Sequence, residues 1–300
     1  MSDTLQDEHV AADYAMRNWT FERQGPVRIG SDAHRQMFCH MLLDTHNPYK
    51  PAVIDWPPLK PDELKRLTSL PIWDIAVQTE GRASIRVATY AAAVDDPLLR
   101  RALEMDGGEE ARHKVVLSKL VEAYGIRLAP EPPYPAPKDP EWSWMMTGFS
   151  ECIDSFFAFG LFRSAQRSGY FPPELVDTFE PVIQEEGRHI LFFVNWYAWY
   201  WRNLPWWRRP WFFARVAAVW VHLVRDRIGI ARGIDADGVA RDANFPATST
   251  ADIGETLNPR ELIELCLTEN DRRMAGYDKR LLRPMFVPRM ARLALRFLRK

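Results

Sequence analysis

The sequence has little of what marks several common classes of protein. Three cysteines in 300 residues, Cys39, Cys152 and Cys266, are too few and too far apart for a disulfide scaffold, which favours a reducing compartment. The formal net charge of −1 provides no overall attraction to nucleic acid. The polar start, MSDTLQDEHVAAD, is unlike a signal peptide, and no run of about 18 apolar residues predicts a membrane-spanning helix. We expect a cytoplasmic protein without nucleic-acid partners.

Short catalytic motifs of the familiar kinds are also missing. The sequence has no phosphate-binding loop, no Ser-His-Asp set, no Cys-x-x-Cys pair and no alternating strand pattern of convincing length. Its 47% hydrophobic composition is enough to bury a large core. Seven of the twelve tryptophans fall between residues 196 and 220, so the aromatic residues are concentrated in one segment.

Capping signals predict four long helices in the middle of the chain. They cover about 72–94, 96–125, 139–169 and 172–202. An aspartate followed by proline, at Asp96 and at Asp139, marks the start of the second and third helices. Gly125 and Gly169 mark their ends, and Pro181 predicts a kink in the fourth helix.

Helices of this length pack most economically as a bundle, so we predict an all-α fold built on a four-helix bundle. The bundle would occupy residues 71–203. Residues 1–70 would form an N-terminal extension, with a loose leader over 1–30 followed by short helices. Residues 204–300 would form a tryptophan- and arginine-rich C-terminal helical extension.

Two related motifs, GGEEARH at 107–113 and EEGRH at 185–189, fall in the second and fourth predicted helices. Each motif places a glutamate and a histidine one turn apart on the apolar face of its helix. The first and third helices each carry one glutamate on the corresponding face. This pattern favours a metal site over solvated surface pairs. The six candidate ligands are Glu80, Glu110, His113, Glu151, Glu186 and His189.

Four buried carboxylates need compensating positive charge, since burying them alone is very unfavourable. Two divalent cations would neutralise them, and carboxylate with imidazole is suitable ligation for iron or manganese. We therefore predict two Fe ions, with Mn or a mixed Mn/Fe pair as alternatives. The remaining histidines lack such a carboxylate framework and are not predicted as ligands; they are His9, His34, His40, His46 and His222.

With one such ligand set per helix, residues 72–203 resemble the ferritin-like di-iron carboxylate superfamily. The fuller Glu-Glu-x-Arg-His form is similar to its oxygen-activating branch, which includes acyl-carrier-protein desaturases, bacterial multicomponent monooxygenases and ribonucleotide reductase small subunits. The resemblance implies a ferritin-like bundle. It also implies that Glu109 and Glu185 accept hydrogen bonds from the ligand imidazoles, with Arg112 and Arg188 paired to them. The alternative is that both glutamates are exposed helix residues.

Two positions depart from that pattern. Leu117 stands where radical-generating reductase subunits carry a tyrosine, so a tyrosyl radical is not expected there. Asp154 and Ser155 stand where many hydroxylases and desaturases carry a threonine, so the delivery of protons would differ.

Two further groups of residues each have two interpretations. A set of phenylalanines could line an apolar substrate pocket or could belong to the plain core; it comprises Phe156, Phe157, Phe159 and Phe193. Residues 204–228 and 284–300 combine aromatic, apolar and basic side chains, which suits the surface of a membrane. The alternative for these segments is packing against the bundle or against a second copy in a homodimer.

These observations favour an O₂-dependent non-haem di-iron oxidoreductase, a hydroxylase, desaturase or related oxygenase, acting on a hydrophobic small molecule. A separate reductase or ferredoxin would supply electrons, because the chain has no flavin or iron–sulfur motif. The expected location is cytoplasmic, with peripheral contact to the inner membrane if the basic segments bind lipid. The alternatives are an iron-handling ferroxidase or storage protein and a metal-free helical interaction or membrane-binding protein.

Overall fold

The structure, a computed structural model, describes residues 3–70, 72–231 and 257–298. All regular secondary structure in these ranges is helical, which confirms the all-α prediction. The helices are α1 (Asp3–Asn18), α2 (Asp32–Asp44), α3 (Pro61–Ser69), α4 (Trp73–Ala92), α5 (Pro97–Ala123), α6 (Pro140–Ser168), α7 (Pro173–Asp177), α8 (Glu180–Asn203), α9 (Arg209–Ala231), α10 (Pro259–Met274) and α11 (Phe286–Ala294). None of the helices described is both long enough and apolar enough to cross a lipid bilayer.

The predicted capping residues determine where two of the central helices begin. The Asp96 carboxylate accepts a hydrogen bond from the Leu99 backbone N–H at 2.8 Å, and Asp139 accepts one from the Trp142 N–H at 2.9 Å. A proline follows each aspartate at the first helical position, where a missing N–H costs nothing. The helix α6 ends at Gly169, whose φ of 64° lies in the left-handed region that glycine adopts without strain.

The kink predicted at Pro181 is wrong. The chain instead forms two helices here, because α7 ends at Asp177 and α8 begins at Glu180. Pro181 therefore lies in the first turn of α8, where the backbone N–H that proline lacks would have no partner within the helix.

The loose leader predicted over residues 1–30 is wrong for residues 3–18, which form α1. The helix is held by tertiary contacts with the C-terminal part of the chain. Met16 is buried, and the Tyr277 hydroxyl donates to its Sδ at 3.1 Å. Arg17 packs against Gly276, where a Cβ would meet the Arg17 Cβ at 2.7 Å. Contacts between residues this far apart leave no local sequence pattern from which α1 could have been predicted.

The helices before and after the predicted bundle pack directly on it. Within the centre, α4 packs along α5 and α6, and α6 packs along α8. The N-terminal helix α2 crosses α5 and α8, while α10 lies on α6 and also contacts α8, and α9 lies on α6. Part of the predicted C-terminal extension, residues 232–256, lies outside the described ranges.

Aromatic side chains fill the centre at one end of these helices. The fully buried Trp144 stacks on Tyr90 with ring centroids 5.7 Å apart, and both rings meet Trp196 edge-on. The tryptophan-rich segment is therefore divided, since Trp196 belongs to the core while three of its members are exposed to solvent. The exposed members are Trp206, Trp207 and Trp211.

Candidate metal centre

Side chains from α4, α5 and α8 meet at one buried point. Each supplies one oxygen or nitrogen atom that lies within 4.8 Å of the others, a spacing at which they could hold a metal ion. The four residues are Glu80, Glu110, His113 and Glu186. The His113 Nδ1 atom is 3.6 Å from Glu80 Oε2 and 3.4 Å from Glu186 Oε1. On α5 the spacing of three residues places Glu110 and His113 on one face.

A second group of this kind adjoins the first and shares one of its members. It consists of Asp106, Glu110 and His189, whose donor atoms also lie within 4.8 Å of one another. The His189 Nδ1 atom is 2.8 Å from Glu110 Oε1. Because Glu110 belongs to both groups, the residues would offer donor atoms to two neighbouring cations.

Glu151, the predicted ligand on α6, lies beside these groups without belonging to either. Both of its carboxylate oxygens are shielded from solvent and have no hydrogen-bond partner among the described protein atoms. Burial, and after it the negative charges of Glu110 and Asp106, raises the pKa of the Glu151 carboxyl well above its usual value.

The outer nitrogen of each histidine is held by a glutamate from the opposite helix. His113 on α5 has its Nε2 atom 2.9 Å from Glu185 Oε2, and Glu185 lies on α8. His189 on α8 has its Nε2 atom 2.8 Å from Glu109 Oε2, and Glu109 lies on α5. Both glutamates are buried. This arrangement leaves each Nδ1 atom facing the candidate metal groups.

Two arginines neutralise these glutamates. Arg112 forms a close ion pair with Glu185, and Arg188 donates to both oxygens of Glu109 at 2.8 Å. Arg188 is fully buried and also donates from Nε to the Thr45 hydroxyl oxygen at 2.9 Å. The short segment after α2 therefore helps to position the hydrogen-bond partner of His189.

The pKa values reflect the excess of negative charge. Burial, and then the charge of Glu80, raises the pKa of the Glu110 carboxyl well above its usual value. Burial alone would lower the pKa of His189, but Asp106 and the hydrogen-bonded Glu109 raise it well above its usual value. Protons and cations compete for the same lone pairs, so cation binding would release protons.

The residues present fit metal ions, because their inward-facing atoms are buried and lack hydrogen bonds. Such orphaned atoms are rare in proteins, since each costs about 1–3 kcal/mol. Here they converge on one cluster and sit on the residue types that bind iron or manganese. Among the described protein atoms, those without a hydrogen-bond partner include Asp106 Oδ1 and Oδ2, Glu151 Oε1 and Oε2, and His113 Nδ1. Glu110 Oε1 and His189 Nδ1 lie 2.8 Å apart and pair only with each other across the cluster.

Of the two residues that replace the family's threonine, only one lies at the cluster. The Ser155 hydroxyl donates to Glu186 Oε2 at 2.9 Å. Asp154, predicted beside it, is instead half-exposed and pairs with Arg227 on α9. Adjacent residues of a helix point about 100° apart, so both cannot face the same cluster.

The four phenylalanines proposed as pocket residues lie in packed clusters. Phe193 presses so closely on Gly148 that a Cβ there would lie 2.0 Å from its ring. Phe159 is fully buried beneath the Arg273 guanidinium, and Phe156 packs against Phe157 and α10. These contacts correspond to the core interpretation of the four residues.

A shallow pocket of about 430 Å³ that the sequence did not predict opens beside α5. Its lining consists of His46, Arg101, Glu104, Met105, Gly108, Glu109 and Arg112. The His46 Nδ1 atom lies 2.6 Å from Glu109 Oε1, so the prediction that this histidine lacks a carboxylate framework is wrong. The contact joins residues 63 positions apart, a separation at which helical spacing carries no signal.

No model of a known protein family, no curated protein and no solved structure matches this chain. The comparisons therefore add no name to the site. The described residues establish a helical protein with a buried glutamate and histidine cluster that could hold a metal ion.

Proposed function

We propose that α4, α5, α6 and α8 form a ferritin-like four-helix bundle holding two iron ions, and that the chain is an O₂-dependent non-haem di-iron oxidoreductase. The observation that carries the proposal is the set of buried carboxylate and imidazole atoms without hydrogen bonds that α5, α6 and α8 bring together beside Glu80 of α4. Four helices, each contributing a carboxylate and two contributing a histidine, are the arrangement of di-iron carboxylate bundles. Manganese or a mixed Mn/Fe pair would use the same atoms.

Each residue of the cluster has a defined task in this proposal. When bound, the iron ions supply the reduction of O₂ that drives oxidation of a substrate. The first candidate group would hold one ion, while Glu110, Glu151 and His189 would hold the other. Glu185 and Glu109 accept the Nε2 protons of His113 and His189, which keeps the Nδ1 lone pairs directed at the ions.

The surroundings of the cluster favour chemistry that requires the exclusion of water. Glu110, His113 and His189 are almost completely buried. The Ser155 hydroxyl donates a hydrogen bond to the Glu186 carboxylate and so orients it. We propose that Ser155 holds a proton at Glu186 Oε2 in place of the threonine common in the family.

The proposal requires two partners that the chain does not contain. One is an electron donor, a reductase or ferredoxin, since two electrons from outside the chain are needed for each oxygen atom inserted. The other is a hydrophobic small molecule as substrate. We place the protein in the cytoplasm, where the three free, buried cysteines would stay reduced.

The test is an anaerobic Fe(II) titration of the apoprotein followed by a pulse of O₂, with the visible absorbance recorded. We expect rapid, O₂-dependent absorbance changes in the native chain and their loss in Glu186→Ala. Glu174→Ala, which removes an exposed carboxylate on α7, is the matched control and should behave as the native chain does. Uptake of many irons per chain, together with a very large assembly on gel filtration, would contradict the proposal in favour of iron storage.

A further inference from the structure

We propose that Asp106 is an additional metal ligand of this centre, on the side of His189. The inference rests on the proposed metal centre and adds a carboxylate to the six ligands that the motifs predict. Asp106 precedes Glu110 by four residues, so both side chains project from the same face of α5 one turn apart. Its donor atom lies within 4.8 Å of those of Glu110 and His189.

The burial of Asp106 is difficult to explain without a cation. The side chain is fully buried, and neither carboxylate oxygen has a hydrogen-bond partner in the described part of the chain. Of the two neighbouring groups that can carry positive charge, Arg188 is already occupied by Glu109, Thr45 and the Leu42 carbonyl, and His189 is held by Glu109 and Glu110. An ionised carboxylate in such a position is very unfavourable unless it is paired or coordinates a metal.

The number of charges around the proposed cations shows how Asp106 would change the charge balance of the centre. Glu109 and Glu185 are neutralised by Arg188 and Arg112, so they do not enter the count. Four predicted ligand carboxylates balance two divalent cations. Asp106 supplies a fifth negative charge, which favours a trivalent ion over a divalent one in the position beside His189.

The experiment is an anaerobic titration with Co(II), whose visible absorbance depends on the number and type of its ligands. Native chain, Asp106→Asn and Asp106→Ala are compared, with Glu104→Gln as control. Glu104 lies in the same part of α5 and its substitution removes the same charge, but the residue is exposed. We expect two Co(II) per native chain and the same for the control.

In both Asp106 variants we expect one of the two ions to bind at least about tenfold more weakly, since even partners of a ligand change affinity by 10–100-fold. The Co(II) spectrum should change for that ion alone. The metal-free Asp106→Asn chain should unfold at the same temperature or a higher one, because the substitution removes a buried charge whose oxygens have no hydrogen-bond partner in the described part of the chain.

Unchanged affinities and an unchanged spectrum in both variants would overturn the assignment of Asp106 while leaving the metal centre intact. A marked loss of thermal stability in metal-free Asp106→Asn would also overturn it, by showing a structural role. If the native chain bound neither Co(II) nor Fe(II), the proposed function itself would fail, and the two failures are thereby distinguished.

A second, independent inference concerns the surface formed by the start of α9 with its preceding turn and by α11. We propose that this surface binds anionic phospholipid. Trp206, Trp207 and Trp211 are 76%, 65% and 68% exposed, whereas single exposed aromatics are the norm on protein surfaces. On α11, Phe286 packs on Trp220 of α9 and is itself exposed.

The charge of this surface selects the partner. Exposed arginines accompany the exposed aromatics, and no acidic residue occurs from 284 to 298. These arginines are Arg208, Arg289 and Arg296. Tryptophan at the headgroup level with arginine beside it is the composition of interfacial helices that bind anionic lipid. A second copy of this chain would bring the same positive charge and is therefore disfavoured as the occupant.

Sedimentation with vesicles tests this inference on the full chain. We expect binding to vesicles that contain phosphatidylglycerol, weaker binding at high salt, and little binding to pure phosphatidylcholine. Serine in place of Trp206, Trp207 and Trp211 should abolish binding. Serine at the exposed positions Tyr14, Val53 and Val115 should leave it unchanged. Absence of vesicle binding, or a dimer that the tryptophan variant dissociates, would overturn the proposal.

Discussion

Each candidate ligand histidine is oriented by a residue of the opposite motif. The glutamate that precedes the ligand glutamate on α5 holds the histidine of α8, and the corresponding glutamate of α8 holds the histidine of α5. In the proposed centre the two motifs would therefore act as one unit, because each supplies candidate ligands and also the hydrogen-bond partner of the other motif's histidine. This reciprocity explains why the chain repeats the whole Glu-Glu-x-Arg-His sequence and not only Glu-x-x-His.

Glu185→Gln tests this role at the scale of one residue. Glutamine keeps the size of the side chain but weakens both the hydrogen bond from His113 and the ion pair with Arg112. We expect metal affinity to fall by about 10–100-fold. Isothermal titration with Fe(II) under anaerobic conditions measures it, and Glu104→Gln serves as the control. An affinity equal to that of the native chain would contradict the role given to Glu185.

A pH effect is expected at Asp278, far from the metal centre. Burial alone would raise the pKa of this carboxyl, but hydrogen bonds from Arg280 and from the Phe21 N–H outweigh it and lower the pKa to about 2. The pKa is below the unfolded value, so the stabilisation is complete above about pH 4 and is lost as the pH falls towards 2.

We expect Asp278→Asn to lose about 1 kcal/mol of unfolding free energy at pH 7, allowing for solvent screening. The difference from the native chain should shrink below pH 4. Urea unfolding at several pH values measures both quantities. A difference that stays constant from pH 7 to pH 3 would show that the carboxylate charge is not the cause.

At the scale of single residues, the sequence predicts the site residues that lie close to one another along the chain. The turn spacing of Glu110 with His113, and of Glu186 with His189, identifies them without any knowledge of tertiary structure. Asp106 also lies one helical turn from a candidate ligand, four residues before Glu110, but no acidic residue occupies the corresponding position before the second motif. His46 carried none, because its contact with Glu109 depends on how the segment after α2 crosses α5.

At the scale of helices, the close contact between α6 and α8 depends on Gly148. A Cβ at this position would lie 2.0 Å from Phe193 Cδ2, within a cluster where Phe193 also meets Trp144. We expect Gly148→Ala to lower the unfolding free energy by about 1–3 kcal/mol, since the ring has to move. Urea unfolding followed by circular dichroism measures the change.

Gly108→Ala is the matched control within α5. Nothing lies within 4 Å of a Cβ built at Gly108, so the substitution adds helix propensity without a clash. It should raise the unfolding free energy by up to about 1 kcal/mol. Equal effects of the two substitutions would contradict the packing described for α6 and α8.

Helix boundaries were predictable where a side chain caps its own helix, as Asp96 and Asp139 do. Predictions went wrong where the deciding contact is distant. Nothing near α1 in the sequence shows that Met16 will be buried against Tyr277. At Pro181 the predicted kink was wrong, because a proline inside a helix and a proline in the first turn of a helix have the same local sequence signature.

At the scale of the whole molecule, the segments outside the central helices are part of the site's support. In the N-terminal segment, Thr45 accepts a hydrogen bond from Arg188 and His46 contacts Glu109. The helix α10 packs on α6. In the family that the motifs resemble, the four helices carry the ligands. Here the N-terminal segment also contacts the partners of those ligands, which the sequence pattern alone did not predict.

The iron content of the chain tests the central claim most directly. Apoprotein is loaded with excess Fe(II) without oxygen, freed of unbound metal by gel filtration and analysed for iron and protein. The native chain should retain about two irons and elute as a small assembly. The double variant His113→Ala/His189→Ala should retain none, and Glu104→Gln should retain two. A native chain that kept no iron and no manganese, or a double variant that kept as much as the native chain, would contradict the dinuclear centre.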